Sequence, residues 1–164
     1  MSPIVLGMGM CYGGFAQLVA GIFEWIKGHM FTAIAFISYG TFWWSFVCIF
    51  AIPQFGWCSP ADGMSLACYL FIWGIYTLVM LIAAFKSKPV SVILIFFTLV
   101  ILFELLAAGT WSGNANVIKA AGAVGIVCGL LAVYTGSAEI LNETYGKTIL
   151  PLGEKGEKLC GPSH

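Results

Sequence analysis

The chain has 164 residues, of which 60% are hydrophobic and 9% charged, with 7 basic and 7 acidic residues and a formal net charge of zero. Soluble domains carry about 25% charged residues, so this composition excludes a soluble fold and, by its apolar excess, a disordered one. Seven scattered lysines form no basic patch, which excludes nucleic-acid binding and leaves an integral membrane protein.

Five apolar segments are each long enough to cross a bilayer, since a spanning helix needs about 20 residues. No alternating pattern of the kind that membrane β-barrels show is present. The sequence therefore predicts an all-α fold, a polytopic membrane helix bundle over residues 1–153 with a polar tail at 154–164. The predicted spans are residues 3–26, 30–52, 64–85, 89–109 and 117–141.

The distribution of lysines predicts the orientation of these spans. The first and third connections and the C-terminal segment hold every lysine except Lys119, which lies on the opposite side. By the positive-inside rule the C-terminus is cytoplasmic, in a multi-pass protein of the plasma membrane. The final 20 residues are polar and contain Gly and Pro, so they are expected to form a loose tail.

Small residues mark candidate contacts between helices. Gly9 and Gly13 in the first span, and Gly125 and Gly129 in the last, have the GxxxG spacing that permits close backbone approach. These glycines serve packing within one subunit, a subunit interface, or narrow positions along a pore.

Polar residues within the spans are costly in lipid and face a bundle interior or a wet cavity. Gln17, Ser38, Tyr39 and Thr98 lie near the middle of their spans. They either bond to neighbouring helices or line a pathway, and the pathway role is favoured for Gln17 and Tyr39. No lysine lies at mid-depth, so an anion would meet amides, hydroxyls and helix ends.

Three further polar residues lie toward the predicted outer side. Glu104 can pair with Lys119, cap a neighbouring helix or carry a proton. Asn114 precedes the last span, where free N–H groups and Lys119 would attract a carboxylate to an outer vestibule. The alternative is an ordinary helix cap with a lysine that reaches toward water.

Catalytic and metal-binding patterns are absent from the sequence. It has no CxxC pair, no Cys/His cluster, no paired acids at enzyme spacing and no Gly-rich phosphate loop. We therefore expect no enzymatic activity, no metal and no cofactor.

Four motifs, in order and at compatible spacing, resemble those of the acetate uptake transporter family, which includes the bacterial succinate–acetate permeases. They are YGGFAQLVAGIFE at 12–24, SYGTFW at 38–43, LLAAG at 105–109 followed by GN at 113–114, and EILNE at 139–143 followed by GKTILPLG at 146–153.

This resemblance implies a six-helix protomer, assembled as a hexamer, with a path for small monocarboxylates through each protomer. A hydrophobic constriction of Phe, Tyr and Leu is implied, of which Tyr39 and Leu99 match the last two; Ala132 matches a small pathway position. The family's first helix, which supplies the Phe, is expected to be missing from this chain. Glu104 stands where bacterial relatives have a small apolar residue.

The resulting hypothesis is a transporter or channel for acetate and related small carboxylates, including succinate, by proton symport or channel-like flow. Its expected partners are the carboxylate, membrane lipid and further copies of the chain. The alternative is a channel for a small neutral solute such as urea or an amide.

Overall fold

A computed structural model describes residues 2–153 of the chain, so the predicted tail at 154–164 lies outside the described residues. Five helices are long and apolar enough to cross a membrane, and no β-strand occurs within the described range. The predicted all-α class with five transmembrane helices is confirmed. The helices are α1 (Pro3–Ile26), α2 (Met30–Ala51), α3 (Gly63–Ser87), α4 (Val90–Ser112) and α5 (Ala115–Tyr145).

The helices form two compact units, Met1–Ala61 and Asp62–His164. In the first unit, α1 is interrupted by a wider π-helical segment, Gly9–Ala16, between two α-helical stretches. Within that segment the Met10 carbonyl accepts a hydrogen bond of 3.0 Å from the indole N–H of Trp44 on α2. Such π segments are rare and are frequently associated with functional sites.

Glycines allow α1 and α2 to pack closely. A Cβ atom on Gly9 or on Gly13 would lie 2.8 Å from the Trp43 ring, and one on Gly40 would lie 3.0 Å from the Gly14 carbonyl oxygen. The GxxxG pair of the first span therefore serves packing within the chain, because its missing side chains make room for an indole.

The turn between α1 and α2 carries a small charged cluster. The Glu24 carboxylate lies 3.3 Å from Lys27 Nζ and 2.8 Å from His29 Nδ1. Gly28, with φ of 81°, supplies the left-handed backbone that this tight turn requires.

The second unit begins with a helix cap. The Asp62 carboxylate accepts a 2.6 Å hydrogen bond from the Ser65 backbone N–H. Hydrogen bonds from the Ser65 side chain and backbone lower the pKa of Asp62. The cap therefore stabilises α3 above the usual aspartate pKa, and this contribution is lost as the pH falls through the lowered value.

Residues 146–153, here called the strap, follow α5 and fold back onto the start of α4. The Asn142 carboxamide accepts hydrogen bonds from the N–H groups of Ile149 (2.7 Å) and Leu150 (3.0 Å) and donates one to the Leu150 carbonyl (2.8 Å). Tyr134 Oη donates to the Pro151 carbonyl at 2.7 Å. The expectation of a loose tail is therefore wrong for these residues.

The strap also satisfies the first turn of α4. The N–H groups of Val90 and Ser91 donate to the carbonyls of Gly153 (3.0 Å) and Leu152 (3.1 Å). The first N–H groups of a helix have no partner within the helix, and Pro89 before them has no side-chain cap to offer. A segment distant in sequence therefore caps α4.

We expect Asn142→Ala to release the strap, because it removes all three hydrogen bonds that the Asn142 carboxamide makes with Ile149 and Leu150. A net loss of about 1–3 kcal/mol in the free energy of unfolding follows from typical hydrogen-bond contributions. Thermal unfolding in detergent and protease sensitivity of the strap measure it. Asn116→Ala, at an exposed asparagine of the same helix, is the control, and equal stability of the two variants would contradict the role of Asn142.

Candidate functional site

The predicted pathway residues of the first unit lie beside a close approach of its two helices at Gly40. A Cβ atom on Gly40 would lie 3.1 Å from the Leu18 backbone nitrogen, so Tyr39 and Gln17 each adjoin the crossing. Tyr39 is buried, with 8% of its surface exposed, whereas Gln17 and Ser38 are half-buried. Gln17 directly follows the π segment.

The second unit holds the other predicted pathway residues. Leu99 and Thr98 are half-buried on α4. The Thr98 hydroxyl lies 2.9 Å from the Leu94 carbonyl and 3.0 Å from that of Ile95, and donates to its own helix. The hydroxyl proton of Thr98 is therefore donated within α4, as is common for threonine in helices.

The glycines of α5 behave differently from those of α1. Gly125 faces Leu102 on α4, with 3.5 Å between that side chain and a Cβ placed on Gly125. Within the described part of the chain, no atom lies within 4 Å of a Cβ placed on Gly122, Gly129 or Gly136. Ala132, between them, is exposed. The GxxxG pair of the last span is thus divided between a packed and an open position.

The predicted outer vestibule has the geometry of a helix cap. Asn114 is the N-cap of α5, and its side-chain oxygen accepts a 3.0 Å hydrogen bond from the Asn116 N–H. Lys119 is exposed about one turn further along. Within the described part of the chain Glu104 and Lys119 form no ion pair with each other, so the structure does not support this one of the three roles open to Glu104.

Glu104 lies deeper than the predicted span implied. Because α4 continues to Ser112 instead of ending at residue 109, Glu104 is about 12 Å along the helix axis from its end. A Cβ atom on Gly74, near the middle of α3, would collide with Glu104 Oε1 and lie 3.1 Å from Glu104 Cδ. Gly74 therefore provides the space for this carboxylate, a role that sequence reasoning missed because Gly74 belongs to no GxxxG pair.

A cavity of about 370 Å³ contains Glu104 and lies between α3 and α4. Apart from the carboxylate and one thiol, its lining is apolar. The residues that line it are Ala67, Cys68 and Phe71 from α3, and Glu104, Ala107, Ala108 and Trp111 from α4. Between residues 2 and 153 no group of three His, Cys, Asp or Glu side chains is placed to hold a metal ion.

Comparisons with known proteins agree over nearly the whole chain. Residues 1–152 match the model of the GPR1/FUN34/yaaH family. The succinate-acetate/proton symporter SatP of Escherichia coli K12 is 44% identical over 154 residues, covering 94% of this chain and 81% of SatP. An uncharacterized protein of Methanothermobacter thermautotrophicus is 43% identical over 158 residues, covering 92% and 77%.

A solved structure matches in three dimensions as well. The structure of the bacterial acetate channel SatP superimposes with a TM-score of 0.89 at 41% sequence identity, covering 93% of this chain and 84% of that one.

Proposed function

Since this chain belongs to the GPR1/FUN34/yaaH family, we propose that it carries acetate and related small carboxylates, succinate among them, across a membrane. The observation that carries this proposal is the 44% identity to a succinate-acetate/proton symporter over 94% of the chain. The structural likeness to an acetate channel, with a TM-score of 0.89, supports it. The protein is a multi-pass membrane transporter or channel and not an enzyme.

The proposed constriction consists of Tyr39 and Leu99. Burying an unpaired charge is far more costly than burying a neutral group, so an apolar constriction passes a neutral acid, or an anion whose charge is compensated. The burial of Tyr39, with 8% of its surface exposed, supports a position away from lipid. Gln17, Ser38, Thr98 and Ala132 are proposed to line the path, with Asn114 and Lys119 at its outer vestibule.

Orientation and assembly complete the proposal. The lysines that flank the spans favour a cytoplasmic C-terminus in a plasma membrane, by the positive-inside rule. A homo-oligomer, a hexamer as in the family that the sequence resembles, is supported by the open glycines of α5. Such small residues permit close contact between helices in lipid, and beyond their own helix backbone no described atom lies within 4 Å of a Cβ placed on Gly122, Gly129 or Gly136.

Purified protein in proteoliposomes is expected to take up labelled acetate faster than empty vesicles do, with excess unlabelled acetate or succinate reducing the rate. The same vesicles are tested with labelled urea. Acetate uptake no faster than in empty vesicles would contradict the proposal. A urea flux that is the same with and without acetate would instead favour a channel for neutral solutes.

A further inference from the structure

The carboxylate of Glu104 stands out among the charged groups of the described chain. It lies on α4 against Gly74 of α3, about 12 Å along the helix from Ser112. Ionisable groups at such depth are expensive and mark ion or proton pathways in membrane proteins. Glu24, by contrast, lies at a helix end and is paired with Lys27 and His29.

The groove between α3 and α4 connects this carboxylate with the helix ends near Trp111. Ala67 and Phe71 line the groove from α3. Together with Gly74 they follow at intervals of four and three residues, so the three lie on one face of that helix. Trp111, near the end of α4, is 62% exposed, and Cys68 is also exposed. The cavity of about 370 Å³ is large enough for several water molecules, each of which takes about 30 Å³ in the liquid.

The charged and titratable groups nearest Glu104 come from α3 and α5. Cys68 on α3 lines the same cavity, whereas Tyr69 and Tyr76 make edge-on ring contacts with Trp73 on another face of that helix. On α4 itself Glu104 has no titratable neighbour. The contacts of α5 with α4 place Gly122 near the level of Glu104, with Lys119 about one turn away and in no ion pair with it.

We propose that Glu104 is a proton-binding site of this chain, reached by water along the groove between α3 and α4. A hydronium ion in the groove gives its proton to a carboxylate oxygen, which leaves water and a neutral carboxylic acid, and the reverse step returns the proton. Neutralisation removes the cost of an uncompensated charge between apolar helices. Proton binding by Glu104 does not depend on the proposed transport function. Only the role of the bound proton does, which is to accompany a carboxylate during uptake.

Cys68 provides a probe for this site, because it lines the same cavity as Glu104. In a chain whose other five cysteines are replaced by alanine or serine, the rates of modification by a cationic and an anionic methanethiosulfonate are compared from about pH 4 to 9. The ratio of the two rates cancels the titration of the thiol itself and reports the local charge.

We expect the ratio of the cationic to the anionic modification rate to fall, on the order of tenfold, as the pH decreases and Glu104 is neutralised. Glu104→Gln is expected to make the ratio independent of pH, whereas Glu104→Asp retains the carboxylate and its pH dependence. Glu143→Gln, at an exposed glutamate near the end of α5, is the matched control and leaves the titration unchanged.

Two results would overturn the proposal. A Cys68 thiol that reacts with neither reagent would show that water does not enter the groove. A ratio that is flat in the unsubstituted background, or that titrates equally with glutamine at position 104, would show that Glu104 is not the group that binds the proton. Acetate uptake alongside a flat ratio contradicts this inference alone, and a titrating ratio without uptake contradicts the proposed function alone.

Discussion

Gly40→Val is expected to abolish the close packing of α1 against α2. The added Cβ would lie 3.0 Å from the Gly14 carbonyl oxygen and 3.1 Å from the Leu18 nitrogen, and the two methyl groups extend further. These neighbours are backbone atoms, which cannot rotate away as a side chain can. Overpacking typically costs 1–3 kcal/mol, and a rigid contact of this kind is expected to reach about 3 kcal/mol or more.

The measurement is thermal unfolding of the detergent-solubilised protein, where this loss corresponds to a decrease in Tm of roughly 10 °C. Gly7→Val, on α1 itself, is the matched control, because this exposed glycine has no described atom within 4 Å of a Cβ at its position. If the two variants unfold at the same temperature, the crossing at Gly40 does not hold α1 and α2 together.

Leu99→Ala is expected to extend the range of accepted acids to larger ones such as lactate. Removing the isobutyl group widens the proposed constriction, so the barrier falls most for solutes with an extra methyl or hydroxyl group. Pockets that discriminate by one such apolar group contribute about 10–200-fold. We therefore expect the ratio of lactate to acetate uptake to rise on the order of tenfold in proteoliposomes.

Leu105→Ala is the matched control for this change. It removes the same side chain from the same helix at a similar half-buried position, but about 120° around the helix axis from Leu99. An unchanged lactate-to-acetate ratio in Leu99→Ala, or an equal rise in both variants, would remove Leu99 from the constriction.

Much of the fold could be predicted, because a segment that crosses a bilayer must be apolar, about 20 residues long and helical. The strap could not, since its hydrogen bonds join Asn142 to Ile149 and Leu150, and the carbonyls of Leu152 and Gly153 to the start of α4. A polar segment with Gly and Pro predicts a loop equally well whether or not its backbone groups find partners. The motif GKTILPLG at 146–153 contributes to the family resemblance, but the motif does not show that this segment caps α4.

The candidate site divides in the same way. Gln17, Tyr39 and Thr98 were identifiable because polar groups in apolar spans are conspicuous, and Leu99 and Ala132 because of the family resemblance. What the Thr98 hydroxyl bonds to was beyond sequence reasoning, because a threonine hydroxyl can donate equally to its own helix or to a neighbour. Gly74 was missed altogether, since its importance comes from a carboxylate on another helix.

The sequence by itself determined the class of protein, the five spans and the family, because each depends on the order and polarity of residues along one chain. The tertiary structure alone decided which glycines are packed and which are open, that a π segment lies in α1, and that Glu104 lies beside Gly74 at the inner end of a groove. These features depend on distances between helices. Such distances are set by which faces meet, and nearly uniform apolar spans leave that choice open.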